Sequence, residues 1–483
     1  MELKIQIKNF KSIQSATIPL KTGLNILVGP NGSGKSCICS ALAFLHDLLL
    51  HGAAQAVAHA GGPKTVYHRG RRQLQFRIVH DYGKRICRNI KCPFWFEWSA
   101  TISQSGKDGI AAITWEEFSV YANHPTGKVR MFQVTSHRPK GKTLRFKTYL
   151  CDPSDYGKDL LSFWSMFSSR DNKSRISKRF RKHLRDFVAY FKEVPDKSVL
   201  VQAAFLDSKV QEVVRYLQSL NEYNILPDVA RSPTEQLPFA VMRPDGEGAA
   251  QVIHALEQGD YYRIESASNE ATEEIPFFYV SRVRRQRLHG RRLRFYHLDL
   301  FRSERFARPR GRVLEKALES IQAELAAGVK PIEAVATAID QTSGKRYLLF
   351  QSAGSEFRPE EVSDGTVKWL CILVSIYVPH SPLYVLEEPE NFLHPWMQQR
   401  LVATMREQAQ GSDTIFLLTS HSQTILNATE PREMLVVTPS AKGTRVQQIP
   451  NRDEIEKILA ESEFRLGDLW VSGAISGVPT HDE

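Results

Sequence analysis

Residues 24–50 decide the fold and read LNILVGPNGSGKSCICSALAFLHDLLL. The apolar run 24–28 is typical of a buried strand, and the octet after it, Gly29–Ser36, matches the pattern G-x-x-x-x-G-K-S in full. The residues that follow have the composition of a helix, whose N-terminal end would face an anion held by the glycine loop. A strand, a glycine loop and a helix in this order predict a site for the phosphates of a nucleotide.

Each residue type in this loop has a physical task. The glycines let the backbone curl, so that successive N–H groups point at phosphate oxygens. Lys35 supplies a cation for the outer phosphates, and the hydroxyl of Ser36 can be a ligand for Mg²⁺. The loop therefore predicts a nucleotide that is bound together with a magnesium ion.

Residues 383–390 read LYVLEEPE, an apolar strand that ends in two adjacent carboxylates, Glu387 and Glu388. Strand alternation would place the two side chains on opposite sides of the strand end. One carboxylate can then hold Mg²⁺ through water while the other faces the attacking water as a general base. The pair predicts hydrolysis of the bound nucleotide.

Two further motifs belong with the carboxylates. Residues 414–422, TIFLLTSHS, predict another apolar strand that ends at His421, from where the imidazole could reach a terminal phosphate. Residues 361–366, EVSDGT, stand before the apolar, helix-like stretch VKWLCILVSIYV. A small residue, a glycine and a hydroxyl at the start of a helix predict a second phosphate-binding end.

The composition is that of a globular protein, with 483 residues of which 42% are hydrophobic and 24% are charged. It excludes a disordered, collagen-like or disulfide-scaffold chain. The sequence has no run of eighteen apolar residues that would predict a transmembrane helix, and its first ten residues alternate instead of forming a signal-peptide core. With only six cysteines, a cytoplasmic protein without a membrane partner is expected.

Positive charge is concentrated in two segments. Residues 282–312 hold twelve arginines against Asp299 and Glu304, and residues 170–185 hold eight basic residues against Asp171. Such clusters attract polyanions by counterion release, although a solvated helix face or an acidic partner protein would also fit. Apolar residues at helical spacing in the second segment predict an amphipathic helix. The arginines expected to contact nucleic acid are Arg284, Arg285, Arg287, Arg291, Arg292 and Arg294.

Five motifs in this order resemble the head domain of RecF/SMC-type ABC ATPases: IKNFKSI, GPNGSGKS, VSDGT, LYVLEEPENFLHP and TSHSQTIL. Within that group the chain is most similar to small antiphage-defence ATPases such as PtuA of the Septu system and the retron-associated ATPases. The similarity covers residues 1–80 and 350–430 closely, with traces at 223–256 and 466–477.

The resemblance implies a role for each matching residue. Glu387 would be the magnesium-associated acid and Glu388 the catalytic base, and His421 would sense the terminal phosphate. Lys11 takes the place of a basic residue that approaches the nucleotide, and Gln133 is the candidate for the glutamine loop.

The resemblance also implies the nucleotide contacts and the cofactors, which are ATP and Mg²⁺. The phosphate loop would contact ATP through Gly29, Asn31, Gly32, Ser33, Gly34, Lys35 and Ser36. The signature loop would contact it through Ser363, Asp364, Gly365 and Thr366. This loop has one glycine where ABC proteins usually have two, and Glu387 stands where many have aspartate; both departures bear on the rate of hydrolysis rather than on nucleotide binding. Residues 391–395 would bridge the two active sites.

The expected fold class is α/β, a P-loop ABC-type ATPase head of the SMC and RecF kind with a β-rich first lobe, an α/β core and a compact insertion. Residues 1–156 would form the first lobe with the phosphate loop, and β-rich runs within 74–150 predict an antiparallel sheet there. Residues 157–335 are mostly helical in pattern and would form a basic insertion. This insertion would be compact, because it is too short for coiled-coil arms and lacks their sustained heptads. Residues 336–483 would form the second lobe.

The leading hypothesis for function is an ATPase in which two heads sandwich ATP, head to tail, as sensor and regulator in antiviral defence. By analogy with the defence systems that it resembles, it would control a separate effector nuclease. Nuclease activity in this chain is not expected, because the sequence has no His–Asn–His pattern and only about fifty residues follow TSHS, too few for a TOPRIM domain. A RecF-like DNA-repair ATPase and an ATP-binding scaffold with little hydrolysis stay open as alternatives.

Overall fold

The computed structural model describes residues 2–81, 94–105, 110–124, 127–138, 145–150, 198, 221–237, 240–259, 285–288, 291–294, 316–378, 383–410, 412, 414–440 and 443–475. The chain divides into two compact units. The first unit combines Met1–Asn224 with Ser381–Glu483, and the second is Ile225–His380.

The strands follow one another along the chain as β1 Glu2–Phe10, β2 Ile13–Lys21, β3 Gly23–Val28, β4 Gln73–Asp81, β5 Phe94–Ser105, β6 Ile110–His124, β7 Gly127–His137, β8 Arg145–Leu150, β9 Asn221–Tyr223, β10 Arg285–Leu288, β11 Arg291–Arg294, β12 Ala334–Ile339, β13 Arg346–Ser352, β14 Ser355–Phe357, β15 Leu383–Glu387, β16 Ile415–Thr419, β17 Met434–Ser440 and β18 Gly443–Gln448. The α-helices are α1 Lys35–Leu50, α2 Ala53–His59, α3 Pro63–Val66, α4 Pro227–Arg231, α5 Ala249–Glu257, α6 Ala317–Gly328, α7 Asp364–Tyr377, α8 Pro395–Ala409, α9 Gln423–Asn427, α10 Arg452–Glu461 and α11 Leu466–Val471.

The core of the first unit is a six-stranded sheet in the order β18-β17-β3-β16-β15-β9. Strand β3 pairs in parallel with β16 and β17, and β15 pairs in parallel with β16 and β9. Because the carboxyl ends of parallel strands meet at the same edge of a sheet, the loops that follow β3, β15 and β16 lie together. The predicted α/β class is confirmed, and this edge carries the candidate site.

The second sheet of the first unit is antiparallel and has seven strands, in the order β2-β1-β4-β5-β6-β7-β8. Its alternation is that predicted from the sequence: Leu3, Ile5 and Ile7 of β1 are each at most 1% exposed. The buried face packs on α1, where the ring of Phe44 stacks on that of Phe76 with centroids 5.8 Å apart. This packing holds α1, and with it the end of the phosphate loop, against the seven-stranded sheet.

The second unit is built around α7, which is apolar over almost its whole length. Trp369 of α7 is fully buried and its Nε1 donates to the carbonyl oxygen of Glu324 on α6, at 3.3 Å. Strands β12, β13 and β14 form an antiparallel sheet in that order. Strands β10 and β11 form a separate antiparallel hairpin, in which Arg285 is paired with Arg294 and Arg287 with Arg292.

The division into lobes at 156 and 335 stays a prediction, and most of the predicted insertion lies outside the described residues. Its described parts include the hairpin β10–β11 as well as helices α4, α5 and α6. The predicted amphipathic helix at 170–185 lies outside the described residues. Within the described ranges, no helix is long and apolar enough to span a membrane.

Candidate nucleotide-binding site

The phosphate loop joins β3 to α1 at the carboxyl edge of the core sheet, and its glycines are needed for two different reasons. A Cβ atom on Gly29 would lie 2.2 Å from the carbonyl oxygen of Val437 on β17, so the neighbouring backbone excludes any side chain. Gly32 and Gly34 have φ angles of 78° and 106°, a region that other residues rarely adopt. The loop therefore has the backbone curl that the sequence predicts.

Lys35 is buried in this loop, with 5% of its surface exposed. Its Nζ donates to the carbonyl oxygens of Gly29, at 2.8 Å, and of Pro30, at 3.2 Å. Burial lowers the pKa of the ammonium group, and the nearby carboxylates of Glu388 and Glu390 oppose that shift. The lysine is thus the cation of a site that also contains negative charge.

The rest of the loop differs in exposure. Asn31, Gly32 and Ser36 are exposed, whereas the Ser33 hydroxyl is buried and has no hydrogen-bond partner in the part of the chain that the structure describes. The exposed members surround the N-terminal end of α1, where backbone N–H groups favour an anion.

The two predicted carboxylates lie on either side of the strand end. Strand β15 ends at Glu387, and Glu388 has a left-handed φ of 40°. The Glu388 N–H donates to Thr419 at the end of β16, to the carbonyl oxygen at 3.2 Å and to Oγ1 at 3.1 Å. Because Glu388 lies in this turn beyond the strand, strand alternation does not set the direction of its side chain, and the placement of the two carboxylates on opposite sides stays a prediction.

His421 lies beside Glu388, although β16 ends two residues earlier than predicted, at Thr419. Its Nε2 is 3.7 Å from Oε1 of Glu388, and both side chains are a little over one third exposed, at 36% and 39%. Burial lowers the pKa of the imidazole, as does the charge of Lys35, while Glu388 opposes the shift. The structure thus brings together the predicted cation, base and histidine.

Glu390 is a site residue that the sequence analysis missed. Its Oε1 accepts hydrogen bonds from the Ser420 hydroxyl, at 2.9 Å, and from the backbone N–H of His421, at 2.7 Å. The other oxygen, Oε2, is buried and has no hydrogen-bond partner among the described residues. The third acidic residue of the EEPE sequence was the only sign of it in the motif. Through its hydrogen bonds, Glu390 connects the loop after β15 to the loop after β16.

Glu222 is a second missed residue. It lies on β9, opposite Val385 in the parallel pairing with β15. Burial, together with the charge of Glu387, raises the pKa of Glu222 to about 7, while Lys11 opposes the shift. A strand of three residues, 160 positions before β15, offers no pattern from which this neighbour could be predicted.

Lys11 lies in the turn between β1 and β2, with a left-handed φ of 46°. The next residue, Ser12, donates from its hydroxyl to Sγ of Cys37 in the first turn of α1, at 3.0 Å. The turn therefore lies against the start of α1, as the predicted role of Lys11 requires. Gln133 is on β7, where its Oε1 accepts from Arg130 Nη1 at 2.9 Å, and the structure does not bring it to these residues.

The proposed signature residues lie in the second unit, at the start of α7. Ser363 is the N-cap, and its hydroxyl accepts from the Thr366 N–H at 3.2 Å. Gly365 and Thr366 are buried, and the Asp364 carboxylate is held by Arg231 of α4. The local structure is a capped helix start, as expected for a phosphate-binding end.

The donor chemistry of Ser36 and Glu387 fits a magnesium ion. A hydroxyl and a carboxylate are hard oxygen ligands, and the influence of Glu387 on the pKa of Glu222 indicates a second carboxylate close by. No group of three or more histidine, cysteine, aspartate or glutamate side chains in the described ranges could hold a metal. Where one hydroxyl and one carboxylate hold magnesium, water and phosphate oxygens are its usual further ligands.

A phosphate loop after β3, an acidic strand end at β15 and a histidine after β16 are the parts of a P-loop nucleotide-binding site. The sequence profile of the family described as "AAA domain, putative AbiEii toxin, Type IV TA system" matches residues 167–427, more than half of the chain, and the chain belongs to that family. A second profile, described as "AAA ATPase domain", matches residues 1–222.

Curated relatives match over short stretches. The chromosome partition protein Smc of Methanocaldococcus jannaschii is 39% identical over 69 residues, which are 14% of this chain and 6% of that protein. The DNA replication and repair protein RecF of Yersinia enterocolitica is 43% identical over 58 residues, which are 12% of this chain and 15% of that protein. The matches therefore span a small part of these relatives.

Solved structures align over most of the chain with low scores. The SmcHead bound to the C-winged helix domain of ScpA has a TM-score of 0.44 at 12% identity, covering 94% of this chain and 98% of that chain. The SMC head domain from Thermotoga maritima has a TM-score of 0.35 at 12% identity, covering 93% and 99%.

Proposed function

We propose that the protein binds ATP with Mg²⁺ and hydrolyses it, and that two chains sandwich the nucleotide head to tail. One observation carries this proposal: the Lys35 ammonium lies close enough to Glu388 and Glu390 for their charges to affect its pKa, with His421 beside Glu388. A phosphate-binding cation, a carboxylate base and a histidine at one sheet edge are the groups that hydrolysis of a terminal phosphate requires.

Each side chain has a task in this reaction. When Lys35 Nζ exchanges the carbonyl oxygens of Gly29 and Pro30 for phosphate oxygens, it binds the outer phosphates. Glu388 accepts a proton from the attacking water, and His421, 3.7 Å away, donates to the terminal phosphate. Ser36 and Glu387 would hold magnesium, which would supply positive charge to the phosphate oxygens.

The partner chain completes the site with its signature loop, as the resemblance to ABC heads implies. A mixing experiment tests this. Lys35→Ala and Ser363→Arg proteins, each inactive alone, are combined in equal amounts. Half of the dimers are then mixed, and each mixed dimer has one intact site, so about a quarter of the wild-type turnover should return.

The control is Lys35→Ala mixed with Glu388→Gln. Both lesions lie on the phosphate-loop side, so no mixed dimer carries an intact site and turnover should stay absent. If both sites must fire together, ATP-dependent dimerisation of the Lys35→Ala and Ser363→Arg pair should still return in part. Silence in both turnover and dimerisation, with mixed dimers demonstrated by mass, would mean that each site is completed within one chain and would refute the head-to-tail arrangement.

For the biological role, we propose a cytoplasmic sensor and regulator in antiviral defence that controls a separate effector nuclease. This role is proposed from the resemblance of the sequence motifs to PtuA-type ATPases, and the family's printed description names a putative AbiEii toxin. Cells carrying the gene with its genomic neighbours should resist part of a phage panel, and Lys35→Ala should abolish that resistance. Equal protection by both proteins would contradict a role that depends on ATP.

A RecF-like repair ATPase is the second candidate, because RecF proteins match over 39 to 58 residues of this chain. The two roles differ in a simple phenotype. A repair protein should change survival after ultraviolet irradiation and leave phage plating unaffected. A scaffold that binds ATP without turnover would be recognised by a turnover number that Glu388→Gln does not lower.

A further inference from the structure

Arg231, the last residue of α4, holds the loop that leads into α7. Its guanidinium donates from Nε to the carbonyl oxygen of Pro359, at 2.9 Å, and from Nη2 to that of Val362, at 2.8 Å. Its Nη1 donates to the Asp364 carboxylate. One side chain thus engages three acceptors on the six residues that precede and begin α7.

The burial of this side chain makes the contacts specific. The Arg231 side chain is 14% exposed, while that of Asp364 is 44% exposed. The fork of a guanidinium has a fixed geometry, so three simultaneous bonds define the position of the loop, which a single lysine ammonium could not match. Arg358 and Glu361 close the loop from within, since the Arg358 N–H donates to Oε2 of Glu361 at 2.7 Å.

The charge of Arg231 is as relevant as its geometry. Asp364 is in the first turn of α7, next to the N-cap Ser363, and its carboxylate would repel a triphosphate that approached this helix start. Arg231 places a permanent positive charge against that carboxylate. The neutralised helix start keeps its N–H groups available to an anion.

We infer that Arg231 is a positioning residue for the signature loop. It fixes residues 359–364 and neutralises Asp364, so that the start of α7 can receive the terminal phosphate of a nucleotide bound by a second copy of the chain. The identity of that ligand rests on the proposed function, whereas the contacts of Arg231 are independent of it.

The inference predicts to which side of the composite site Arg231 belongs. Arg231→Ala should lower ATP turnover roughly a hundredfold, as expected for a misplaced contact, with the affinity of the isolated chain for labelled ATP unchanged. Mixed with Lys35→Ala, it should recover about a quarter of the wild-type turnover, because one site of each mixed dimer is intact. Mixed with Ser363→Arg, it should recover none.

The reverse pattern, recovery with Ser363→Arg and none with Lys35→Ala, would overturn the inference, because Arg231 would then act on the phosphate-loop side. Recovery with both partners, or full activity of Arg231→Ala alone, would overturn it as well. The mixture of Lys35→Ala and Ser363→Arg distinguishes failure of the proposed function from failure of the inference about Arg231. If this mixture recovers neither turnover nor ATP-dependent dimerisation, the proposed head-to-tail site is refuted; if it recovers turnover, the assay is valid for Arg231.

Two further variants exclude a trivial loss of folding. Arg231→Lys keeps a charge for Asp364 but cannot make all three bonds, so it should be partly active and recover with Lys35→Ala only. Arg243→Ala is the matched control, because Arg243 belongs to the same unit, is 65% exposed and pairs with Glu247. It should behave as the wild type. If Arg231→Lys recovers with neither partner while remaining folded by circular dichroism, the positioning role is refuted.

Discussion

Replacing Glu222 by glutamine should change how the stability of the protein depends on pH. The folded-state pKa of Glu222 is about 7 against an ordinary value of 4.5, because burial and the charge of Glu387 disfavour the carboxylate. A carboxyl group with a raised pKa contributes stability that is present below pH 4.5 and is lost as the pH rises through 7. Glutamine does not titrate and should abolish that loss.

The magnitude follows from the two pKa values. Each unit of pKa difference corresponds to about 1.4 kcal/mol, and most of the difference is expressed between about pH 5 and about pH 8. Over that interval the wild type should lose about 2.5 kcal/mol of its free energy of unfolding relative to Glu222→Gln. Urea unfolding followed by circular dichroism at both pH values, without nucleotide or magnesium, measures this difference.

Two companion variants sharpen the test. Glu461→Gln should run parallel to the wild type at both pH values, because the Glu461 side chain is 67% exposed on α10. Lys11→Met removes the cation that opposes the shift, so the loss of stability should extend to higher pH. A constant difference between Glu222→Gln and the wild type at both pH values would refute the placement of Glu222 beside Glu387.

The remaining predictions concern catalysis, acid stability and nucleic acid. Glu388→Gln should keep ATP bound, lower turnover by about 10²–10⁴-fold and trap a dimer that light scattering detects. If Glu388→Gln turns over normally and Glu387→Gln stops turnover, the roles of the two carboxylates are reversed. Burial lowers the pKa of His80 from its ordinary 6.5 to about 4. About 3 kcal/mol of the free energy of unfolding should therefore be lost as the pH falls from 6.5 to 4. His80→Leu should remove this loss, whereas His137→Leu, at an exposed position, should not. Because residues 282–312 hold twelve arginines against two acidic residues, the salt dependence of nucleic-acid binding should fall by up to about one slope unit per residue when glutamine replaces arginine in hairpin β10–β11. An unchanged slope would assign the hairpin to protein contacts. The positions to change are Arg285, Arg287, Arg292 and Arg294.

Local pattern was sufficient for the elements that surround the phosphate loop. The run before Gly29 and the helix after it are β3 and α1, and alternation in the first strand matches the burial of Leu3, Ile5 and Ile7. In both cases the information lies within a few residues, because a strand or helix with one buried face has a period of two or 3.6 residues.

The other features of the site could not be predicted from the sequence, because they depend on contacts between segments that are far apart in the chain. Pro389 disfavours right-handed helical backbone at the preceding residue, yet the left-handed turn at Glu388 is fixed by Thr419, 31 residues away. The neighbours of Glu387 depend on which strand pairs with β15, and β9 is too short to carry a pattern. Glu390 was visible in the sequence, but only the folded loops show that it bonds Ser420 and His421.

Because the first unit is built from two distant parts of the chain, it cannot be completed early during synthesis on the ribosome. Asn25 of β3 donates to the carbonyl oxygen of Phe416 on β16, a contact that joins residues 391 positions apart. At roughly 5–20 residues per second, translation would need about 20–80 s to deliver β16 after β3 has emerged. During that interval β3 lacks both of its neighbours, and nascent chains should recruit chaperones to it. A polypeptide that stops before Ile415 lacks β16 and β17, so it should form neither the core sheet nor the ATP site and should have no ATPase activity.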